Sequence, residues 1–385
     1  MDRQRNYSGF EEAMELINNQ GFDGMGSAIQ ILMNQAMLVE RERHLNVKPY
    51  ERNEERNGYA NGYKPKTVRT RIGALQLDVP QVRNSDFYPA CLEKGIRSER
   101  ALRIAMAEMY VQGVSTRKVS AVMEEMCGFE VTSMQVSRAA EKLDVEFEQW
   151  RNRPLGQYEY AFFDARYESI RQNGCVIDCA VLVAIGITQE GRREVLGASV
   201  KLSEAEAHWR EFFKSLQARG LHGLKLITSD AHTGMKAARK AVFPSVPWQR
   251  CQFHLQQNAQ SYVPKKDMKK KAASSIRSIF NAPNKEEAER LLNNAILEYK
   301  QEAPKLSIWM EENIREGFTI FGFPEEHQKR LRTSNISERL NKDIKKRTRV
   351  ASIFPNETSC LRLVTGVIME ISDEWVKGQV YLKKE

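Results

Sequence analysis

Apolar residues recur at spacings of three and four from Met25 to Leu45 (MGSAIQILMNQAMLVERERHL), predicting a helix within a helical N-terminal stretch, residues 1–50. The next segment, ERNEERNGYANGYKPK, is polar and holds two Asn-Gly pairs, which favour turns, so a linker is expected there. From Thr67 to Val82 the period shortens to two, with Val68, Leu75, Leu77 and Val79 among the apolar positions and Arg69 and Arg71 between. Gly73-Ala74 is placed to close a hairpin. A basic hairpin suits a phosphate backbone, and equally a small sheet with solvated arginines.

Residues 98–147 carry helical periodicity throughout. Ser115-Thr116 is a start signal for a helix to about Met126, Gly128 breaks it, and Thr132-Ser133 starts a second helix. That second helix turns Gln135, Ser137, Arg138 and Lys142 outward. Two short helices joined at a glycine match a helix-turn-helix, whose second helix enters the major groove; an ordinary helical hairpin has the same pattern.

Beyond residue 157 the pattern alternates. YEYAFF (158–163) is a short β-prone run ending at Asp164, CVIDCAVLVAIGI (175–187) a continuous apolar strand, and 194–202 a third. Ser203 is expected to cap a helix over 204–219; LKLIT (224–228) is a buried strand followed by a helix over 234–242 and a short strand or turn, WQRCQFH (248–254). Strands mixed with helices in this order predict an α/β fold with a mixed sheet flanked by helices. Residues 256–330 show no strand signal. Helices follow over 333–346 and 359–376.

Composition narrows the function classes. With 41% hydrophobic residues among 385, the chain can bury a core and is not wholly disordered. No run of 18 or more apolar residues predicts a membrane span, and the N-terminus has no apolar signal region. Six cysteines at 91, 127, 175, 179, 251 and 360 do not form a disulfide framework, so a reducing cytoplasmic setting, at the nucleoid, is expected. The 59 Lys and Arg exceed the 50 Asp and Glu by nine, favouring a polyanionic partner. The surplus is concentrated: Lys329 to Arg349 holds nine cations against Glu338 and Asp343.

Two carboxylates, Asp164 and Asp230, fall just past the ends of predicted strands, where sheets with parallel strands gather functional groups. Glu338 is a third, amid the basic run. Hard divalent cations take a few carboxylates plus substrate phosphates, and two such ions serve phosphodiester chemistry. Cations around Glu338 are consistent with a phosphate backbone running past it.

FFDARYESI, ITSDAHTGMKAA, WQRCQFHL and RTSNISERLNKDIKKRTRVASIFPNETSCLRLV together resemble the Mutator-type transposases of bacterial insertion sequences, from near residue 58 to about 370. The resemblance implies the DDE class, a ribonuclease-H-like core, and the catalytic, metal-binding set Asp164, Asp230 and Glu338, with Mg²⁺ or Mn²⁺, two ions, as cofactor. It also implies a helical insertion before the glutamate and a Cys-x-x-His element, here Cys251 and His254. The organisation expected is an N-terminal helical region (1–57), a basic hairpin and linker (58–97), a helix-turn-helix-like region (98–150), a first core part (157–256), an all-helical insertion (257–330) and a second core part (331–385).

The function implied is binding of the element's terminal inverted repeats, with metal-dependent cleavage and strand transfer into target DNA. Double-stranded DNA is then the partner, in a homodimer or larger assembly, with no membrane. A transposon-derived DNA-binding protein without catalysis and a structure-specific nuclease of the same fold are the alternatives. DNA contacts are expected from Arg69, Arg71, Arg138, Lys142, Asn335, Arg339, Lys345, Lys346 and Arg347. Trp248, Cys251, His254 and His232 are candidates for support of the active site; Cys251 and His254 lack a second Cys/His pair and do not make a zinc site. Arg166, Tyr167 and Glu168 suit substrate contact or a solvated turn. Asn335, three residues before Glu338, shares its helical face and is a candidate to orient a metal ligand or a phosphate, and Arg339 and Asn341 flank it.

Overall fold

The two-residue period around Leu75 becomes an antiparallel hairpin in the computed structural model, which describes residues 3–48, 51 and 56–383. Strand β1 (Tyr59–Thr70) pairs with β2 (Gly73–Arg83), with a bulge between Ala60 and Tyr63. The strand therefore takes in the second Asn-Gly pair and the expected linker shrinks, with residues 49–50 and 52–55 lying outside the described residues. Thr70 pairs with Gly73, so the loop is Arg71-Ile72 and not Gly73-Ala74; Gly73 takes the positive φ of 111° at the first strand position. Helices α1 (Arg3–Gln20) and α2 (Met25–Leu45) precede the hairpin. The period of β2 puts Leu75, Leu77 and Val79 on one face, buried with Met37 of α2. Each such side chain stabilises by about 1.5–3 kcal/mol when removed from water.

Three helices complete this unit: α3 (Arg100–Val111), α4 (Thr116–Cys127) and α5 (Ser133–Glu141). Ser115 caps α4, Gly128 ends it in the left-handed conformation, and Thr132 with Gln135 forms a capping box at α5. Val119, Met123, Val136 and Met106 form their shared core.

The second unit comprises Val111–Gly113 and Asp144–Glu385. Its α6 (Asp144–Arg151) packs on the sheet unit and is pinned by Asp144, which accepts two 2.7 Å hydrogen bonds from Arg362. The sheet is built from β3 (Tyr158–Gln172), β4 (Cys175–Thr188) and β5 (Arg193–Lys201), then α7 (Glu206–Ala218), β6 (Leu226–Ser229), α8 (Thr233–Val242) and β7 (Trp248–Arg250). Its order is β5-β4-β3-β6-β7, with β3/β4 and β4/β5 antiparallel and β3/β6 and β6/β7 parallel. The fold is thus α/β with a mixed sheet. Trp209, Phe212 and Phe213 of α7 pack with Met235 of α8 against Phe163 and Leu182 on one face.

α7 begins at Glu206 after Ala205, and Ser203 does not cap it: its hydroxyl accepts from the Ala205 amide before the helix starts. The expected strand 248–254 is cut short at Arg250, because α9 (Gln252–Ala259) already starts there, with Cys251 at its N-cap. Helices α10 (Met268–Phe280), α11 (Lys285–Glu302), α12 (Pro304–Asn313) and α13 (Glu325–Leu331) follow, and Leu255, Ile276, Leu292, Tyr299 and Met310 give this helical segment its own core. α14 (Asn335–Ala351) and α15 (Glu357–Lys377) then return to the sheet, contacting β3 and β5. No helix among the described residues is long and apolar enough to cross a membrane.

Candidate active site

Phe163 and Ser229 form the last rung of the parallel β3–β6 ladder, and Ser229 and Arg250 the last rung between β6 and β7. The residues that follow, Asp164, Asp230 and Cys251, therefore emerge as neighbours where the parallel strands end. Asp164 is not past the end of its strand, as the sequence pattern suggests. β3 continues to Gln172 because β4 pairs with it as far as Cys175; what ends before Asp164 is the contact with β6. Arg166, Tyr167 and Glu168 accordingly lie in the strand and not in a turn.

Gly234 lets the start of α8 pack against the backbone that precedes α7. A Cβ there would stand 2.2 Å from the Glu204 carbonyl oxygen, so only glycine lets the 204–206 segment cross the start of α8. Asp230 accepts from the Ala231 amide at 2.7 Å. Ser229 donates to the Asp230 carbonyl at 2.8 Å and accepts from the Trp248 indole at 2.9 Å, tying Trp248 to the same strand end.

Burial pushes the Asp164 carboxyl up to about 7; the Ala165 amide and His254 oppose the shift, and the charges of Asp230 and Glu204 reinforce it. Two carboxylates in a poorly solvated place repel each other, which is the electrostatic condition a cation relieves. His254, on α9, is raised to about 9 by its hydrogen bond with Cys251 against the cost of burial, with Asp230 and Asp164 adding to it. Burial alone would raise the Cys251 thiol, but His254 brings it below its ordinary value, and Ser334 helps with two 3.2 Å hydrogen bonds to Sγ. The Cys-x-x-His element thus stands beside the carboxylates, its thiol lowered and its imidazole raised by each other. His232 is exposed at the start of α8, with Nδ1 3.8 Å from Glu204.

Glu338 lies in the first turn of α14, half-buried, and its Oε1 is buried without a hydrogen-bond partner. Among the described residues no three His, Cys, Asp or Glu side chains stand together closely enough to hold a metal ion, so the three acids do not form a closed set. Their donor chemistry nevertheless fits a hard divalent cation: two juxtaposed carboxylates and a buried, unpaired carboxylate oxygen.

The residue of α14 that touches Asp164 is Asn341, whose Nδ2 donates to Oδ2 at 2.9 Å. Asn335 is exposed at the start of the helix. Arg166 reaches the Asn341 carbonyl and pairs with Glu168 at 2.5 Å, and Glu168 accepts from Thr348 at 2.8 Å, fastening α14 to β3. Only the i, i+3 spacing from Glu338 to Asn341 hints at this contact in the sequence. Arg339, Lys345 and Lys346 are exposed along α14, Lys346 pairing with Asp343 at 2.7 Å, whereas Arg347 is engaged by Gln112 and by Glu370 at 3.6 Å.

In the first unit, Arg69, Arg138 and Lys142 line one cavity of about 140 Å³ with Gln135 and Arg103. Arg71, at the hairpin tip, instead pairs with Glu99 at 2.8 Å.

Residues 2–378 match the family described as Transposase, Mutator family. The transposase for insertion sequence element IS406 of Burkholderia multivorans is 55% identical over 374 residues, 97% of this chain and 96% of that protein. The transposase for IS256 in transposon Tn4001 of Staphylococcus aureus is 37% identical, covering 95% of each chain, and that for IS1081 of Mycobacterium tuberculosis 34% identical, covering 87% of this chain and 81% of its own. Among solved structures, a simian T-cell lymphotropic virus intasome in complex with PP2A regulatory subunit B56 gamma overlaps 53% of this chain and 66% of its own at 10% identity, with a TM-score of 0.18, too low to carry a structural argument. With a match across nearly its whole length, the chain belongs to the Mutator family of transposases.

Proposed function

We propose that this transposase binds the terminal inverted repeats of its own insertion sequence and carries out divalent-metal-dependent cleavage and strand transfer at a ribonuclease-H-like, DDE-class centre. The observation that carries this reading is the emergence of Asp164 and Asp230 as neighbours at the ends of parallel strands. The sheet order, with β3 central and antiparallel to β4 but parallel to β6, supports the fold assignment.

Asp164, Asp230 and Glu338 would hold Mg²⁺ or Mn²⁺, in a two-ion arrangement. Bound there, the metal supplies activation of an attacking oxygen and stabilisation of the leaving oxygen in phosphodiester chemistry. The exposed cations of α14, Arg339, Lys345 and Lys346, draw the phosphate backbone along the helix on which Glu338 stands. Water attack at the element end leaves a 3′ hydroxyl; that hydroxyl attacks target DNA, exchanging one phosphodiester for another without a covalent enzyme intermediate. Arg138, Lys142 and Arg69 bind the repeat through the helix-turn-helix and hairpin. Two ends must be held together for transfer, so a dimer or larger assembly is the working form.

The test is cleavage and joining of a DNA carrying the element's ends in Mg²⁺ or Mn²⁺. Asp230→Asn should abolish both while leaving repeat binding intact; continued cleavage by that variant refutes the assignment. Cutting of generic junctions with no joining would identify a nuclease instead.

A further inference from the structure

We infer that Asn341 completes the carboxylate centre: its amide nitrogen positions Asp164, and its Oδ1 is a further oxygen donor to a divalent cation held there. The inference rests on the reading of Asp164, Asp230 and Glu338 as a cation site. Three observations lead to it. The acids do not gather into a group of three close enough to bind a metal, so that set of donors is short by itself. Asn341 Nδ2 donates to Asp164 Oδ2 at 2.9 Å, which spends the amide's donor side on the carboxylate and leaves Oδ1 as its only acceptor. That Oδ1 is buried and accepts no hydrogen bond, as is Oε1 of Glu338 three residues earlier on the same face of α14.

A buried acceptor left unpaired costs free energy, and a cation held on Asp164 would relieve the Asn341 Oδ1 beside it. The backbone at Asn341 is held for this role. Arg166, itself paired with Glu168, donates to the Asn341 carbonyl, so the residue cannot move away from β3 without breaking that pair. An amide oxygen is a suitable ligand for Mg²⁺ or Mn²⁺ and adds no negative charge to a site where two carboxylates already repel each other.

Mn²⁺ binding to the full chain without DNA, followed by electron paramagnetic resonance, tests this independently of activity. Asn341→Ala should weaken Mn²⁺ binding about tenfold or more, the range seen when a metal's supporting residues are removed. Asn341→Asp retains an oxygen at the same place but loses the amide donor and adds a charge beside Asp164, so it should bind Mn²⁺ more tightly than Asn341→Ala. Thermal unfolding without metal is measured for both, and Asn341→Ser replaces Asn341→Ala if the latter does not fold. Unchanged Mn²⁺ affinity in Asn341→Ala overturns the inference alone, with the acid set still standing if Asp164→Asn and Glu338→Gln lose binding. Equal losses in Asn341→Asp and Asn341→Ala overturn the donor role of Oδ1. An unaltered protein that binds no Mn²⁺ removes the cation site itself, and this inference with it.

Discussion

Asp164 and Asp230 follow the two halves of a single backbone rung, Phe163 opposite Ser229, in the one place where β3 loses its parallel neighbour. Their proximity is a consequence of register. A shift of one residue in either strand would turn one carboxylate to the opposite side of the sheet.

Asp164 carries the first prediction. Its carboxyl is raised to about 7 from an ordinary value near 3.8, burial being the chief cause, so the folded state holds its proton more tightly than the unfolded state does. Stability from this group is present at low pH and declines as pH rises from about 4 to about 7. Asp164→Asn should therefore stabilise the metal-free protein at pH 8, by up to about 4 kcal/mol, and by little at pH 4. Thermal unfolding at the two pH values checks it, and equal shifts would argue against a buried charge.

The His254–Cys251 pair titrates with the opposite sign. A histidine raised to about 9 contributes stability that is complete below its ordinary value near 6.5 and lost as pH climbs through 9. His254→Ala should send the Cys251 thiol back up. The pH midpoint of thiolate ultraviolet absorbance, expected higher in Cys91→Ser/His254→Ala than in Cys91→Ser, is the measurement.

Arg166 and Glu168 are both nearly enclosed, with side chains 12% and 10% exposed. Removing one partner strands the other, at a cost of about 3 kcal/mol or more. Arg166→Ala should lower the unfolding midpoint well beyond Thr348→Ala, which loses a single hydrogen bond worth about 1.5–3 kcal/mol to a charged acceptor. Denaturant midpoints rank the two.

Thr132→Ala removes one half of the capping box on α5 and should cost about 1 kcal/mol. Arg138→Ala and Lys142→Ala should weaken repeat binding and each reduce the salt dependence of log K by about one. Titrations at several salt concentrations decide; unchanged affinity would remove α5 from the DNA interface.

Gly234→Ala should destabilise the fold, because its Cβ meets backbone at Glu204 and not a side-chain tip that can swing away. The loss should appear both in the unfolding midpoint and in any activity that depends on Asp230.

Much of this protein is determined locally and is legible in the chain alone. The span of α2, the caps at Ser115 and Thr132, the apolar run of β4 and the strandless insertion depend on periodicity and capping, which act over a few residues. The acids stand in motifs that the family resemblance singles out. What only the tertiary structure decided is how far strands run and which side chains meet. β3 outlasts its apolar stretch because β4 pairs along it, and the residues where α7 starts pack against Gly234 of α8. Asn341 meets Asp164, 177 positions apart, through the docking of α14 on the sheet. Contacts at that separation leave no periodic trace, since they arise from packing two elements together and not from the conformation of either one.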